Sequence, residues 1–152
     1  MSFYQLNYQQ LIKADMNTVW EFIANPRNLK IITPEYMGFD ITSPDIPEVM
    51  YEGMIISYKV SPFFKIKNDW VTEITHIREN EFFVDEQRLG PYSFWHHQHF
   101  FTETPDGIDM RDLVTYSPPF GMLGDICNSL FIRKKLEEIF NYRKEAIAKL
   151  LS

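Results

Sequence analysis

The chain has 152 residues, the size of one ordinary domain. With 45% hydrophobic, 16% aromatic and 24% charged residues, the composition excludes a disordered chain and describes a globular one. A net charge of −6 excludes the two roles that need a Lys/Arg excess, nucleic-acid binding by phosphate neutralisation and generic attachment to anionic membranes.

In chain order, Tyr4, Leu6 and Tyr8 alternate with Gln5, Asn7 and Gln9, the two-residue period of a strand with one buried face. Asp15 stands at the N-cap position of a short helix whose apolar face carries Met16, Val19, Phe22 and Ile23. Pro26 stops this helix, and Asn28–Ile32 adds a further turn before Pro34. From about residue 48 strands return: Met54–Ser61, Lys65–Ile77, Glu81–Arg88, Tyr92–Glu103 and Gly107–Ser117, all rich in β-branched or aromatic residues. Their separators are turn chemistry, Ser61-Pro62, Arg78-Glu79-Asn80, Leu89-Gly90-Pro91 and Thr104-Pro105-Asp106-Gly107, too short for parallel crossovers. From Asp125 onward, Ile126, Leu130, Phe131, Ile139, Phe140, Ile147 and Leu150 fall near helical spacing, which predicts one amphipathic helix of roughly 40 Å. Such a sheet needs a cover, and only this helix can supply it. The fold class expected is α+β, a curved antiparallel sheet of six or seven strands wrapped around a long C-terminal helix, with two short helices after the first strand. Residues 1–152 are read as a single domain.

The single cysteine, Cys127, cannot form an intrachain disulfide, and its apolar neighbours at a helix start suit packing or an incidental thiol. The N-terminal residues lack the basic start and apolar run of a signal peptide, and no apolar stretch reaches membrane-spanning length. A cytoplasmic location is expected, with no integral-membrane part.

Three of the four histidines lie in one strand, Trp95-His96-His97-Gln98-His99-Phe100-Phe101. A tight turn through Pro105-Asp106 sets Phe101 near Met110, His99 near Asp112, His97 near Val114 and Trp95 near Tyr116. One face then carries Trp, His, His and Phe opposite Met, Asp, Val and Tyr, an apolar wall with a few polar groups of the kind a ligand cavity needs. The alternative is a core histidine pair satisfied by Asp112 as an ordinary buried hydrogen bond. His99 oriented by Asp112 is also the candidate acid/base pair, and Asp85 with Gln87 or Arg88 adds polar groups from the preceding strand. A His-x-His pair gives two metal ligands, with Asp112 a third, but no Cys-x-x-Cys or His-Glu-x-x-His accompanies it, so no metal is expected. Nucleophile elbows and Gly-rich phosphate cradles are absent, so no cofactor is expected either. Phe120 lies in the loop Ser117–Gly124, whose Pro118-Pro119, Gly121 and Gly124 suit either a lid or a plug over the core. Arg133, Lys134, Lys135, Arg143 and Lys144 read as a solvated helix face.

With these elements in place, the sequence resembles the superfamily of START lipid-transfer domains, pollen-allergen-like proteins and bacterial polyketide cyclases/dehydrases. It is most similar to the bacterial cyclase/dehydrase-like ligand-binding branch. The resemblance is carried by Phe83-Val84-Asp85-Glu86-Gln87, Gly90-Pro91-Tyr92, Trp95–Phe100, Asp112–Tyr116, Pro119–Gly124, Leu130–Arg133 and Ile139–Arg143, together with Val19–Ile23, Asn25-Pro26 and Pro34. It implies a helix-grip fold whose cavity, between sheet and C-terminal helix, takes a hydrophobic small molecule or lipid. No fixed catalytic set comes with it. The reading of the site is therefore Trp95, His97, His99, Phe101, Met110, Asp112, Val114, Tyr116 and Phe120 as ligand-binding residues. Binding without catalysis is the leading function. A cyclase or dehydratase using His99 and Asp112 is the alternative, and a surface interaction or regulatory module is a third. Oligomeric state is left open.

Overall fold

The computed structural model describes residues 2–61 and 66–151. Strand β1 (Tyr4–Ile12) leads into helix α1 (Met16–Ile23), two 3-10 turns (Pro26–Lys30 and Glu35–Met37) and a two-residue strand β2 (Asp40–Ile41). Strands β3 (Ile55–Val60), β4 (Asn68–Arg78), β5 (Phe82–Leu89), β6 (Phe94–Thr104) and β7 (Gly107–Ser117) follow. Helix α2 (Gly121–Cys127), a π turn (Asn128–Ile132) and helix α3 (Arg133–Leu151) then run on without a break. The expected Ser61-Pro62 turn and the strand start at Lys65 involve residues 62–65, outside the described residues.

All seven strands form one antiparallel sheet in the order β1-β7-β6-β5-β4-β3-β2. Asp15 caps α1 as expected, its carboxylate accepting from the Thr18 backbone N–H at 3.0 Å. Register shifts between β4 and β5, at Val71/Thr72 and Ile74/His76, insert unpaired residues that bend the sheet. They also break the alternation, so Trp70, Thr72 and Ile74 are buried while His76 is exposed. The bent face closes on the terminal helix through Ile132, Leu136 and Phe140. A second apolar cluster, built on Ile12, Val19, Trp20, Phe101 and Ile147, fills the end nearest α1.

The terminal helix departs from the expected one in start and in phase. It begins at Gly121, because Gly124 packs its backbone against the Pro119 carbonyl where a Cβ would collide. The buried stripe is Asn128, Ile132, Leu136, Phe140 and Ile147, whereas Ile126, Leu130, Phe131 and Leu150 are exposed. The π turn widens the helix by one residue per turn and resets its phase. At the pivot, the Tyr116 hydroxyl donates to Asn128 Oδ1 at 2.8 Å, so a polar residue holds a core position. Among the described residues no helix is long and apolar enough to cross a membrane.

Candidate functional site

The hairpin β6–β7 has the expected register: Trp95 opposite Tyr116, His97 opposite Val114, His99 opposite Asp112 and Phe101 opposite Met110. The tight turn at Pro105-Asp106 fixes it, since Thr104 pairs with Gly107. On the other side β5 sets Asp85 opposite His97 and Phe83 opposite His99. Three neighbouring strands thereby bring two carboxylates and two imidazoles together on one face.

The four groups interlock. His97 Nε2 lies 2.9 Å from Asp112 Oδ1, and His99 Nε2 lies 2.8 Å from Asp85 Oδ2, both hydrogen bonds. Two further contacts close the ring: His97 Nδ1 to Asp85 Oδ2 at 3.4 Å and His99 Nδ1 to Asp112 Oδ1 at 2.9 Å. The last is close but outside hydrogen-bonding alignment, which leaves His99 Nδ1 buried without a partner. His97 and His99 lie tilted against each other with centroids 3.7 Å apart, Phe83 stacks on His99 at 4.0 Å, and Phe140 is edge-on to His97 at 5.5 Å.

Burial disfavours charge on all four, and their mutual contacts decide which keep it. Burial, with the charge of His99 adding to it, lowers the His97 pKa to about 4, so this ring is neutral near pH 7. His99 moves the other way; burial pulls its pKa down, but Asp112 and Asp85 outweigh that and raise it. Burial pulls Asp112 upward, yet its contacts with both rings hold it well below the usual carboxylate range. Asp85 is lowered too: the two histidines and Arg143 overcome its burial.

These residues form the polar end of a cavity of about 150 Å³ between sheet and helix. Asp85, His97 and His99 line it, and much of the remaining wall is apolar or aromatic, with Tyr58, Trp70 and Trp95 prominent; Thr72, Arg143, Asn25, Asn28 and Thr33 add polar groups. Those rings brace one another: Tyr58 stacks on Trp70 at 5.9 Å and Trp70 meets Trp95 edge-on at 5.3 Å. Thr72 anchors the group, accepting from Trp70 Nε1 at 3.0 Å and sharing a 3.1 Å hydrogen bond with the Tyr58 hydroxyl. Besides Asp85, the lining residues that keep some exposure are Phe22, Asn25, Asn28, Leu29 and Thr33 from the end of α1 and the segment after it, Met50 ahead of β3, and Ile139 and Arg143 from α3, so the mouth lies among these segments.

Of the nine residues read from sequence, Trp95, His97 and His99 line this cavity. Asp112 stands behind it, holding His97, and with Met110 adjoins a separate void of about 10 Å³. Phe101 and Met110 belong to the cluster near α1, and Val114 and Tyr116 to the main core, outside the lining. Phe120 is 82% exposed and away from the cavity. Cys127 is exposed, so packing is not its role. Arg143 is a correction: read as part of a solvated face, it lines the cavity with a buried Nε that has no hydrogen-bond partner. Its spacing gave a usable signal, for it follows Leu136 by two helical turns and Phe140 by one.

No family model matches the chain, and no curated protein matches it in sequence. Its likeness is to solved structures. Protein CV1439 from Chromobacterium violaceum superposes with a TM-score of 0.72 at 12% identity, covering 97% of this chain and 96% of that one. Ara h 8.0201 does so with a TM-score of 0.69 at 9% identity, covering 99% and 98%. The chain has the same helix-grip architecture as these structures, a curved antiparallel sheet around a long C-terminal helix. Ginseng major latex-like protein 151 from Panax ginseng shares it, with a TM-score of 0.67 at 12% identity over 99% and 98% of the two chains. At these identities the likeness is one of fold.

Proposed function

We propose that this protein is a single binding unit that holds a hydrophobic small molecule, with a polar group of that molecule placed at Asp85, His97 and His99. The observation that carries the reading is the cavity itself: about 150 Å³, walled by aromatic side chains and polar at one end. Engineered apolar cavities of about that size admit benzene, so the favoured ligand is a compact ring system or short chain rather than a whole lipid. The cytoplasm is the proposed compartment, in keeping with a lone unpaired thiol. A thermal-shift screen of hydrophobic small molecules tests the reading, because a ligand that binds only the folded chain raises its apparent stability by mass action. Leu29→Trp, which fills the mouth from a half-buried position, is expected to abolish the shift while the fold is retained. A screen without any saturable shift, together with native mass spectrometry showing no co-purified molecule, would sink it.

A second reading, a cyclase or dehydratase, draws on the placement of His99. This ring reaches the cavity wall with Asp85 on one nitrogen and Asp112 beside the other, the surroundings of a group that gives and takes a proton. Under this reading His99→Gln removes turnover but leaves ligand affinity within a fewfold. Equal loss of both returns the site to binding alone.

A further inference from the structure

The polar end of the cavity holds more lone pairs than the protein's own protons satisfy. A neutral imidazole carries one N–H. With the His97 proton on Nε2, directed at Asp112 Oδ1 2.9 Å away, His97 Nδ1 is a bare lone pair facing Asp85 Oδ2 at 3.4 Å. His99 Nε2 reaches the same Asp85 oxygen at 2.8 Å, and Asp85, His97 and His99 each offer a ligand atom within 4.8 Å of the other two. A proton on His99 Nε2 serves one of these contacts and leaves His97 Nδ1 without a donor. A metal cation between the three atoms serves all of them.

We propose that Asp85 Oδ2, His97 Nδ1 and His99 Nε2 are the ligands of a divalent first-row metal ion, zinc foremost, whose fourth position opens on the cavity. Two imidazole nitrogens and one carboxylate oxygen suit zinc and its neighbours, whereas calcium and magnesium take oxygen sets. Three protein ligands with one open position are what a reactive or ligand-binding zinc site has, in contrast to a closed structural one. The spacing fits. Ligands about 2.0–2.1 Å from a tetrahedral ion stand about 3.3 Å apart, close to the 3.4 Å between Asp85 and His97. The 2.8 Å contact of Asp85 with His99 must open by about half an ångström, a small side-chain rotation.

Asp112 completes the arrangement from behind. Its Oδ1 is hydrogen-bonded to the far nitrogen of His97 at 2.9 Å, where a metal-bound histidine normally keeps a carboxylate partner, and lies 2.9 Å from the far nitrogen of His99, which a small rotation would bring into alignment. The carboxylates of Asp85 and Asp112 bring two negative charges to the inner end of a cavity whose lining holds one permanent cation, Arg143, and a divalent ion adds to the balance. All four side chains stand on paired strands rather than loops, so the donors are held in place before the ion arrives. The proposal is independent of the organic ligand, since metal binding is measured without one.

The test is a Zn²⁺ titration of the chelator-treated chain by calorimetry, with Co²⁺ as a spectroscopic probe. One saturable site per chain is expected, and the intense visible bands of four-coordinate Co²⁺. Asp85→Asn and His97→Gln should abolish this site, Asp112→Asn should weaken it roughly 10–100-fold, and His76→Gln and His96→Gln should leave it unchanged. Should a buried variant fail to fold, the unaltered chain still decides: in long-range ¹H–¹⁵N spectra Zn²⁺ must move His97 Nδ1 and His99 Nε2. Absence of a saturable site, or signals moving at His76 or His96 instead, overturns the proposal.

Discussion

At the scale of single residues, polar atoms in apolar surroundings determine behaviour. His97 gives a pH dependence whose sign follows from its contacts. Its pKa in the folded chain is about 4, against about 6.5 when unfolded. Between those values the unfolded chain binds the extra proton, so the metal-free protein loses stability as pH falls from about 6.5 to 4. The loss is on the order of 3 kcal/mol at most. Asp112, held well below the carboxylate range, does not enter this window, since its contribution is lost only below the unfolded carboxylate pKa. Urea unfolding at pH 6 and pH 5 checks the prediction, below the range in which the raised pKa of His99 acts in the opposite sense, and His97→Gln should flatten the slope. Tyr116→Phe tests another buried pair: it strips Asn128 Oδ1 of its donor inside the core and should cost about 1–3 kcal/mol by chemical denaturation.

At the scale of elements, the terminal helix is the part whose sequence pattern misleads. Apolar residues at 126, 130 and 131 suggest an inner face, yet the inner face is set by Asn128 and Ile132. Periodicity reads hydrophobicity alone and cannot register a buried asparagine satisfied by a tyrosine from another strand. The helix start carries two opposite expectations for thermal unfolding. Gly124→Ala should destabilise by about 1–3 kcal/mol, because the added methyl meets the Pro119 carbonyl. Phe120→Gly should stabilise by up to about 1 kcal/mol, because Phe120 sits at φ 66° in the left-handed region and its ring is exposed. Ser at Leu123 or Phe131, also exposed, should change stability by no more than about 0.5 kcal/mol.

At the scale of the whole molecule, the bent sheet and the gripped helix leave a space that no single element contains. The aromatic residues divide between two tasks. Trp70, Trp95 and Tyr58 wall the cavity, while Trp20 packs edge-to-face on Phe83 and Phe101 at the α1 end, with Phe83 touching the cavity as well. Removing one ring of the wall enlarges a cavity that cannot collapse, which adds to the lost burial. Trp70→Ala also removes the donor to Thr72 Oγ1 and the ring stacked on Tyr58, and should lose about 3–5 kcal/mol in urea unfolding. The same change should destroy ligand shifts in the thermal screen.

The sequence by itself determined the order of elements, the turns and the β6–β7 register, because each depends on neighbours a few residues apart. The tight turn at Pro105-Asp106 sets His99 opposite Asp112 on β7, and strand alternation alone puts both histidines on the same face. Tertiary structure decided the rest. Asp85 joins the histidines only because β5 pairs with β6 in one register, and Arg143 reaches the cavity only because the π turn sets the phase of α3. Trp95 lines the cavity while Tyr116, opposite it, does not, because the bend of the sheet and the position of the helix decide which inward side chains meet space and which meet one another. A cavity is the small difference between the volume a fold encloses and the volume its side chains fill, and that difference belongs to no local stretch of chain.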